Sequence, residues 1–192
     1  MFRSFLIVLA LCLIAFSTPL LGDESAAATG PALATHAGSK ITVNYSHRLD
    51  QLLDRGHFDA VEQPIRDGLM SSAYKIKGVE VLEYKLFPAM GHPPGLTITS
   101  AMKAGDMKFN PANFEQLLAY VQQHFKGGTE RRIIFAVGQE TLRHGQFAAS
   151  ALVYEYDKDR KKWTRKLKIL PITNTTFSPN EYLLGVRSIN QG

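Results

Sequence analysis

The only cysteine of this 192-residue chain, Cys12, lies inside an uninterrupted apolar run from Phe5 to Phe16. A domain built from the residues after that run has no disulfide, no thiolate nucleophile and no cysteine metal ligand. Packing of an apolar core must therefore hold it together. The 170 residues from Asp23 onward are enough for one domain that buries about 70% of its unfolded surface.

The apolar run follows Arg3, is twelve residues long and ends at Ser17–Pro19. A positive start followed by about 7 to 15 apolar residues is typical of a secretory signal, whereas a membrane-spanning helix needs about 20. We therefore predict a signal peptide over residues 1–22 and export to the periplasm or the extracellular space. An uncleaved anchor over residues 5–21 is the alternative, since that stretch reaches seventeen residues if its polar residues are tolerated.

The residues after the predicted signal peptide form two further segments. Residues 23–39 are small, polar and interrupted by Gly and Pro, which predicts a flexible leader. Residues 40–192 show no internal repeat and no second linker, so we expect a single domain. Its pattern of strands and helices predicts an α+β fold, with a mainly antiparallel sheet and two to three helices packed on one face.

The first half of this domain has several periodic segments. Strands are predicted at Lys40–Tyr45, Val79–Phe87 and Leu96–Met102, the last two pairing through the Pro- and Gly-rich loop 88–95. Helices are predicted after two capping residues, Ser46 and Asp59.

In the second half, an amphipathic helix is predicted from Asn110 to Phe125, with Asn110 as its cap and Pro111 in its first turn. Three strands follow, at 132–137, 147–156 and 162–170, with a polar connection at 138–145 and an exposed turn at 157–161. Ser178, Pro179 and Glu181 have the spacing of a helix start, so a short helix is expected before a final strand at 186–189.

Positive charge is concentrated on the predicted hairpin. Residues 155–168 contain seven basic and three acidic residues. We predict that this hairpin contacts a protein partner or an anionic component of the cell envelope through Arg160, Lys161, Lys162, Trp163 and Arg165. The alternative is a solvated hairpin whose lysines only prevent association between sheet edges.

The overall charge argues against nucleic acid as a partner. The chain carries a formal charge of +5, and loss of residues 1–22 would remove one arginine and leave +4. No predicted helix carries basic residues along one face, and an exported protein rarely meets nucleic acid. Contact with a membrane is expected only if the N-terminal segment is retained.

Catalytic motifs are absent from the sequence. The six histidines include no pair with zinc-binding spacing, and no Gly-rich phosphate loop follows a strand, so we expect neither a metal nor a cofactor. A hydrolase could still use His92 or His144 as the base, with Glu140 or Asp106 to orient it and Ser150 or Ser100 as the nucleophile.

These observations favour an exported, non-enzymatic protein-binding module, such as an envelope adaptor, an assembly factor or an inhibitor or immunity-type protein. Two alternatives stay open. One is the envelope hydrolase just described, and the other is a membrane-anchored subunit of an envelope complex.

Overall fold

A computed structural model describes residues 39–70, 78–90, 108–173 and 176–189, and their largest feature is one eight-stranded sheet. In chain order the elements are β1 (Lys40–Asn44), α1 (Leu49–Arg55), β2 (Ala60–Val61), α2 (Gln63–Arg66), β3 (Val79–Pro88), β4 (Asn110–Pro111), α3 (Phe114–Gln123), β5 (Arg132–Arg143), β6 (Gln146–Asp157), β7 (Lys162–Pro171) and β8 (Glu181–Ser188). The order across the sheet is β1-β3-β8-β5-β6-β7-β2, and β4 pairs with β8 beside this path.

The sheet is mixed, so the expectation of a mainly antiparallel sheet was wrong in this respect, while the α+β class is confirmed. Strand β8 lies between β3 and β5, and it runs antiparallel to β3 and parallel to β5. Strand β2 is parallel to β7. The direction of a strand depends on how distant segments meet, and local periodicity carries no information about that.

Side chains alternate between two faces of the sheet. One face, which we call the helix face, carries Tyr84 and Tyr154, and α3 packs on it through Tyr120 and Phe125. Helix α1 joins this layer, since Gln122 of α3 donates a hydrogen bond to its backbone. The opposite face carries a second core, built from Phe87, Phe109, Ile133, Phe135, Val153, Ile172, Phe177 and Leu183.

Helix α3 confirms the predicted amphipathic helix but begins later than expected. Its apolar positions are buried, at Phe114, Leu117, Leu118, Val121 and, just past its end, Phe125. The cap is Asn113, whose side chain accepts from the backbone of Gln116 while the Gln116 side chain accepts from the Asn113 backbone. The predicted cap, Asn110, lies in β4 instead, because β4 completes the sheet beside β8.

The helix expected after Ser178 is also wrong, because residues 181–188 form β8. The hydrogen bond of the predicted cap does form, from the Ser178 backbone to the Glu181 carboxylate, but it closes a turn that leads into the strand. Burial between β3 and β5 overrides the local helix signal.

Three other sequence predictions meet different outcomes. The helix predicted at Asp59 is replaced by β2 and the single turn α2, while the helix predicted after Ser46 begins only at Leu49. The connection predicted at 138–145 is strand for most of its length, because β5 continues to Arg143. The predicted segments 1–38 and 96–102, and most of the loop 88–95, lie outside the described residues.

Both sides of the sheet are closed against further pairing. At β1, the side-chain amide of Gln123 accepts from the Thr42 N–H and donates to the Thr42 carbonyl, as a neighbouring strand would. At β7, the segment 59–62 pairs with the backbone, and the carboxylates of Asp59 and Glu62 accept from the N–H groups of Arg165 and Ile169. Unpaired edge groups invite association between sheets, and these contacts remove them.

A bulge in β5 decides where the strand goes after Ala136. Ala136 and Glu140 are opposite the adjacent residues Ser150 and Ala149, so the three residues between them have no partner in β6. Gly138 lies in the bulge and donates its N–H to the carbonyl of Ala112. Beyond the bulge the alternation is reversed, so that Arg143 is opposite Gln146 on the helix face.

We predict that Gly138→Ala lowers the free energy of unfolding by about 3 kcal/mol, measured by urea denaturation. A Cβ atom at this position would collide with the backbone carbonyls of Pro111 and Ala112, and backbone cannot move aside as a side chain can.

Gly128→Ala is the matched control. A Cβ atom there meets only the Arg132 side chain, at 3.6 Å, which is an ordinary contact. The control should stay within about 1 kcal/mol of wild type, because a tolerated Gly-to-Ala change mainly reduces the entropy of the unfolded chain. Equal stability of the two variants would show that the close approach at Gly138 is not required.

Candidate binding surface

The hairpin of β6 and β7 is a rigid projection. Its last paired residues are Asp157 and Lys162, and a four-residue turn joins them, as the sequence predicts. One carboxylate oxygen of Asp157 accepts from the N–H groups of Asp159 and Arg160, which fixes the turn. We call residues 158–161 the hairpin tip.

Aromatic side chains support the hairpin on the helix face. Trp163 stacks on Tyr154, with ring centroids 5.1 Å apart and planes at 17°, and Tyr156 meets it edge-on. The Tyr154 hydroxyl donates to the carbonyl of Gly128 and accepts from its N–H, which ties the hairpin to the loop after α3. Tyr156 is 47% exposed and is therefore the aromatic residue that a partner can reach.

Three of the five predicted contact residues form contacts within the protein. The Lys162 ammonium lies 2.6 Å from the Asp59 carboxylate. The Arg165 guanidinium lies over the Phe125 ring and donates to the Phe125 carbonyl at 3.1 Å. Trp163 is enclosed by its two tyrosine neighbours, so these three residues act mainly in holding the hairpin in place.

The other two predicted residues, Arg160 and Lys161, are exposed at the hairpin tip. Arg160 has a loose contact with Asp157, at 3.9 Å, and Lys161 forms no ion pair in the described part of the chain. The same holds for Lys158, which the sequence analysis did not select. Its position inside the turn was the signal that could have identified it, because turn residues have no strand neighbour to pair with.

On the opposite face, acidic residues neutralise part of the hairpin charge. The Lys166 ammonium lies 2.9 Å from the Glu155 carboxylate, and Arg131 approaches both Glu155 and Glu181 at 4.0 Å. The hydrogen bond with Lys166 holds the pKa of Glu155 below its usual value, and it raises the pKa of Lys166. The cations of the hairpin that form no close ion pair among the described residues are therefore those of the hairpin tip and Lys168, which is partly exposed on this opposite face.

The described catalytic candidates do not converge on one site. Ser150 is completely buried, so its hydroxyl is closed to a substrate in this conformation. Glu140 is opposite Ala149 and shares its face, whereas His144 lies in the turn beyond the last pair of the β5–β6 ladder. His92, Ser100 and Asp106 lie outside the described residues.

His144 has a structural explanation. With Gly145 it forms a two-residue turn between the paired Arg143 and Gln146, and both turn residues have positive φ, 50° and 76°. Such a turn matches the twist of a β-hairpin, and histidine is among the residues that tolerate positive φ.

Two further features are absent from the described residues, a metal-binding cluster and a membrane-spanning helix. Within residues 39–70, 78–90, 108–173 and 176–189, no three His, Cys, Asp or Glu side chains lie close enough to hold a metal ion. No helix in the same ranges is both long and apolar enough to cross a membrane.

We predict that Asp59→Asn destabilises the protein by about 1 kcal/mol or less near pH 7, with a smaller effect in acid. The hydrogen bond from Lys162 and the N–H of Arg165 lower the pKa of Asp59, so the folded state prefers the carboxylate. This stabilisation is present above about pH 4, the pKa of an unfolded aspartate, and is lost as the pH falls through the lower folded pKa.

Urea unfolding of both proteins between about pH 2 and pH 7 measures this difference. Asp54→Asn is the control, because Asp54 is exposed and forms no salt bridge within the described ranges. A gap between wild type and Asp59→Asn that stays constant across this range would contradict the role of the Asp59 charge.

We also predict that His144→Asn raises the free energy of unfolding by about 0.5 kcal/mol, because asparagine followed by glycine suits this turn best. Thermal unfolding measures the change. Gly145→Ala should have the opposite sign, since its φ of 76° is strained for any residue with a Cβ atom. A less stable His144→Asn variant would contradict the turn assignment.

Comparison of the chain with protein-family models, with curated proteins and with solved structures found no match. The chemistry of its own residues is therefore the basis for assigning a function.

Proposed function

We propose that this protein is an exported, non-enzymatic binding module that contacts an acidic protein surface through the tip of its β6–β7 hairpin. The supporting observation is the separation of charge along this hairpin. Lys162, Arg165 and Lys166 are engaged inside the protein, whereas Lys158, Arg160 and Lys161 extend from a turn that is held in one conformation.

The residues beside the hairpin tip favour a protein over other anionic partners. Tyr156 is half exposed next to Trp163, one residue before the strand ends. Tyrosine and arginine are enriched at the centres of protein interfaces, where they bury large areas with little loss of conformational entropy. The hairpin tip offers both, at a position that a flat or concave partner surface can reach.

The closed sheet edges restrict how a partner can bind. An extended peptide that adds a strand needs free N–H and carbonyl groups at an edge. The Thr42 groups are taken by Gln123, and the N–H groups of Arg165 and Ile169 are taken by carboxylates. Contacts through side chains, such as those at the hairpin tip, remain possible.

The test is the double charge reversal Lys158→Glu with Lys161→Glu in the full-length protein. Both side chains are exposed and form no ion pair in the described residues, so the fold should be unaffected. The tagged protein is purified from its native host, its partner is identified by mass spectrometry, and the affinity is measured by calorimetry. We expect the reversal to weaken binding by at least about tenfold, and the loss to shrink at high salt.

The matched control is Lys40→Glu with Arg66→Glu, which makes the same change in net charge at exposed positions on β1 and α2. It should bind as wild type does. Equal weakening in the two variants would mean that net charge, and not the hairpin tip, drives association. If the protein bound phosphatidylglycerol vesicles and no protein partner were found, the proposed acidic protein would be wrong and the partner would be an anionic lipid surface.

A further inference from the structure

A small cavity opens at the opposite end of the sheet from the hairpin tip. Its volume is about 190 Å³, which is room for about six groups the size of a water molecule. It lies on the helix face and is lined by Arg143, His144, Gln146, Ala148, Ile169 and Pro171. Three polar side chains form one side, and an alanine, an isoleucine and a proline form the other.

The cationic side of this cavity is only partly neutralised. One terminal nitrogen of the Arg143 guanidinium, Nη1, lies 2.9 Å from the Glu62 carboxylate and also donates to the Ile169 carbonyl at 3.4 Å. Its Nε and Nη2 atoms have no hydrogen-bond partner among the residues that the structure describes. A guanidinium has five N–H donors, and the pair on Nε and Nη2 matches the two oxygens of a carboxylate.

A buried hydroxyl lies near this cavity without lining it. The Ser150 hydroxyl is completely buried and has no hydrogen-bond partner among the residues that the structure describes. Ser150 is opposite Ile169 in the ladder and two residues from Ala148, so it lies directly behind the cavity wall. Because this hydroxyl is fully buried, the polar groups that a ligand can reach in the cavity are those of Arg143, His144 and Gln146.

We propose that this cavity is a binding site for a small carboxylate. The carboxylate accepts from Nε and Nη2 of Arg143, and its short apolar part contacts Ala148, Ile169 and Pro171. Glu62 holds the guanidinium in place from the other side, so the site is already formed in the absence of a ligand.

The experiment is a titration of the full-length protein with lactate, followed by the ¹⁵N–¹H signals of residues 143–148 and of the Arg143 Nε–H group. Lactamide, the neutral amide of the same shape, is the ligand control. We expect saturable shifts with lactate at a Kd of about 1 to 10 mM, which is typical of so small a ligand, and none with lactamide.

Two variants locate the site. Gln146→Glu places a carboxylate opposite Arg143, where it competes with lactate for the free guanidinium donors, and it should weaken lactate binding about fivefold. Thr129→Glu adds the same charge at an exposed position of the loop after α3 and should leave binding unchanged. Arg143→Lys keeps the charge but loses the paired donors, and it should weaken binding about tenfold.

Several outcomes would overturn the proposal. These are the absence of saturable shifts with lactate, equal shifts with lactamide, or equal weakening by Gln146→Glu and Thr129→Glu. If Arg143→Lys bound lactate as tightly as wild type, the paired donors of the guanidinium would not be what holds the carboxylate. Because none of these variants changes the hairpin tip, the result is independent of partner binding there.

Discussion

Strand β5 bends away from β8 after Phe135, and the rest of the sheet depends on this bend. Where β5 departs, β4 takes over the pairing with β8, and Gly138 crosses closely enough to donate to Ala112. The bulge also reverses the alternation of side chains, which brings Arg143 to the helix face. There it binds Glu62, the residue that closes part of the β7 edge. The bulge in β5 therefore determines both the strand pairing at the centre of the sheet and the contact of Arg143 with Glu62 at the β7 edge.

The closed edges give the protein a specific way to avoid aggregation without disulfides. At β1 a helix side chain substitutes for a strand, and at β7 a short parallel strand and two carboxylates do so. Such a sheet can be long without offering these positions to another strand, because the backbone groups named here are already satisfied. The lysines of β7 are therefore not needed to protect that edge. This argues against the alternative in which the basic residues of the hairpin only prevent association between sheets.

Elements with strong local patterns could be predicted from the sequence, and elements decided by distant contacts could not. The burial of Phe114, Leu117 and Leu118 follows from their spacing, as does the turn after Asp157. The first half of β8 was predicted as a short helix because its first residues form a local cap, and only the final strand at 186–189 was predicted as strand, whereas the position of β8 between β3 and β5 is a tertiary property. The bulge in β5 was missed for the same reason, since the glycine and polar residues that form it also suit a loop.

The candidate binding surfaces could also be predicted only in part, because they depend on contacts between residues that are distant in sequence. Counting charges located the basic hairpin, but only the structure separates cations bound by Asp59, Glu155 and Phe125 from those that face solvent. The cavity at Arg143 has no sequence signature, because its residues come from three strands and the β5–β6 turn, and Arg143 shares their face only through the bulge. In both proposed sites, the charges available for binding are those that the fold leaves unsatisfied, and the groups that neutralise their neighbours, such as Asp59 and Glu62, lie far away in sequence.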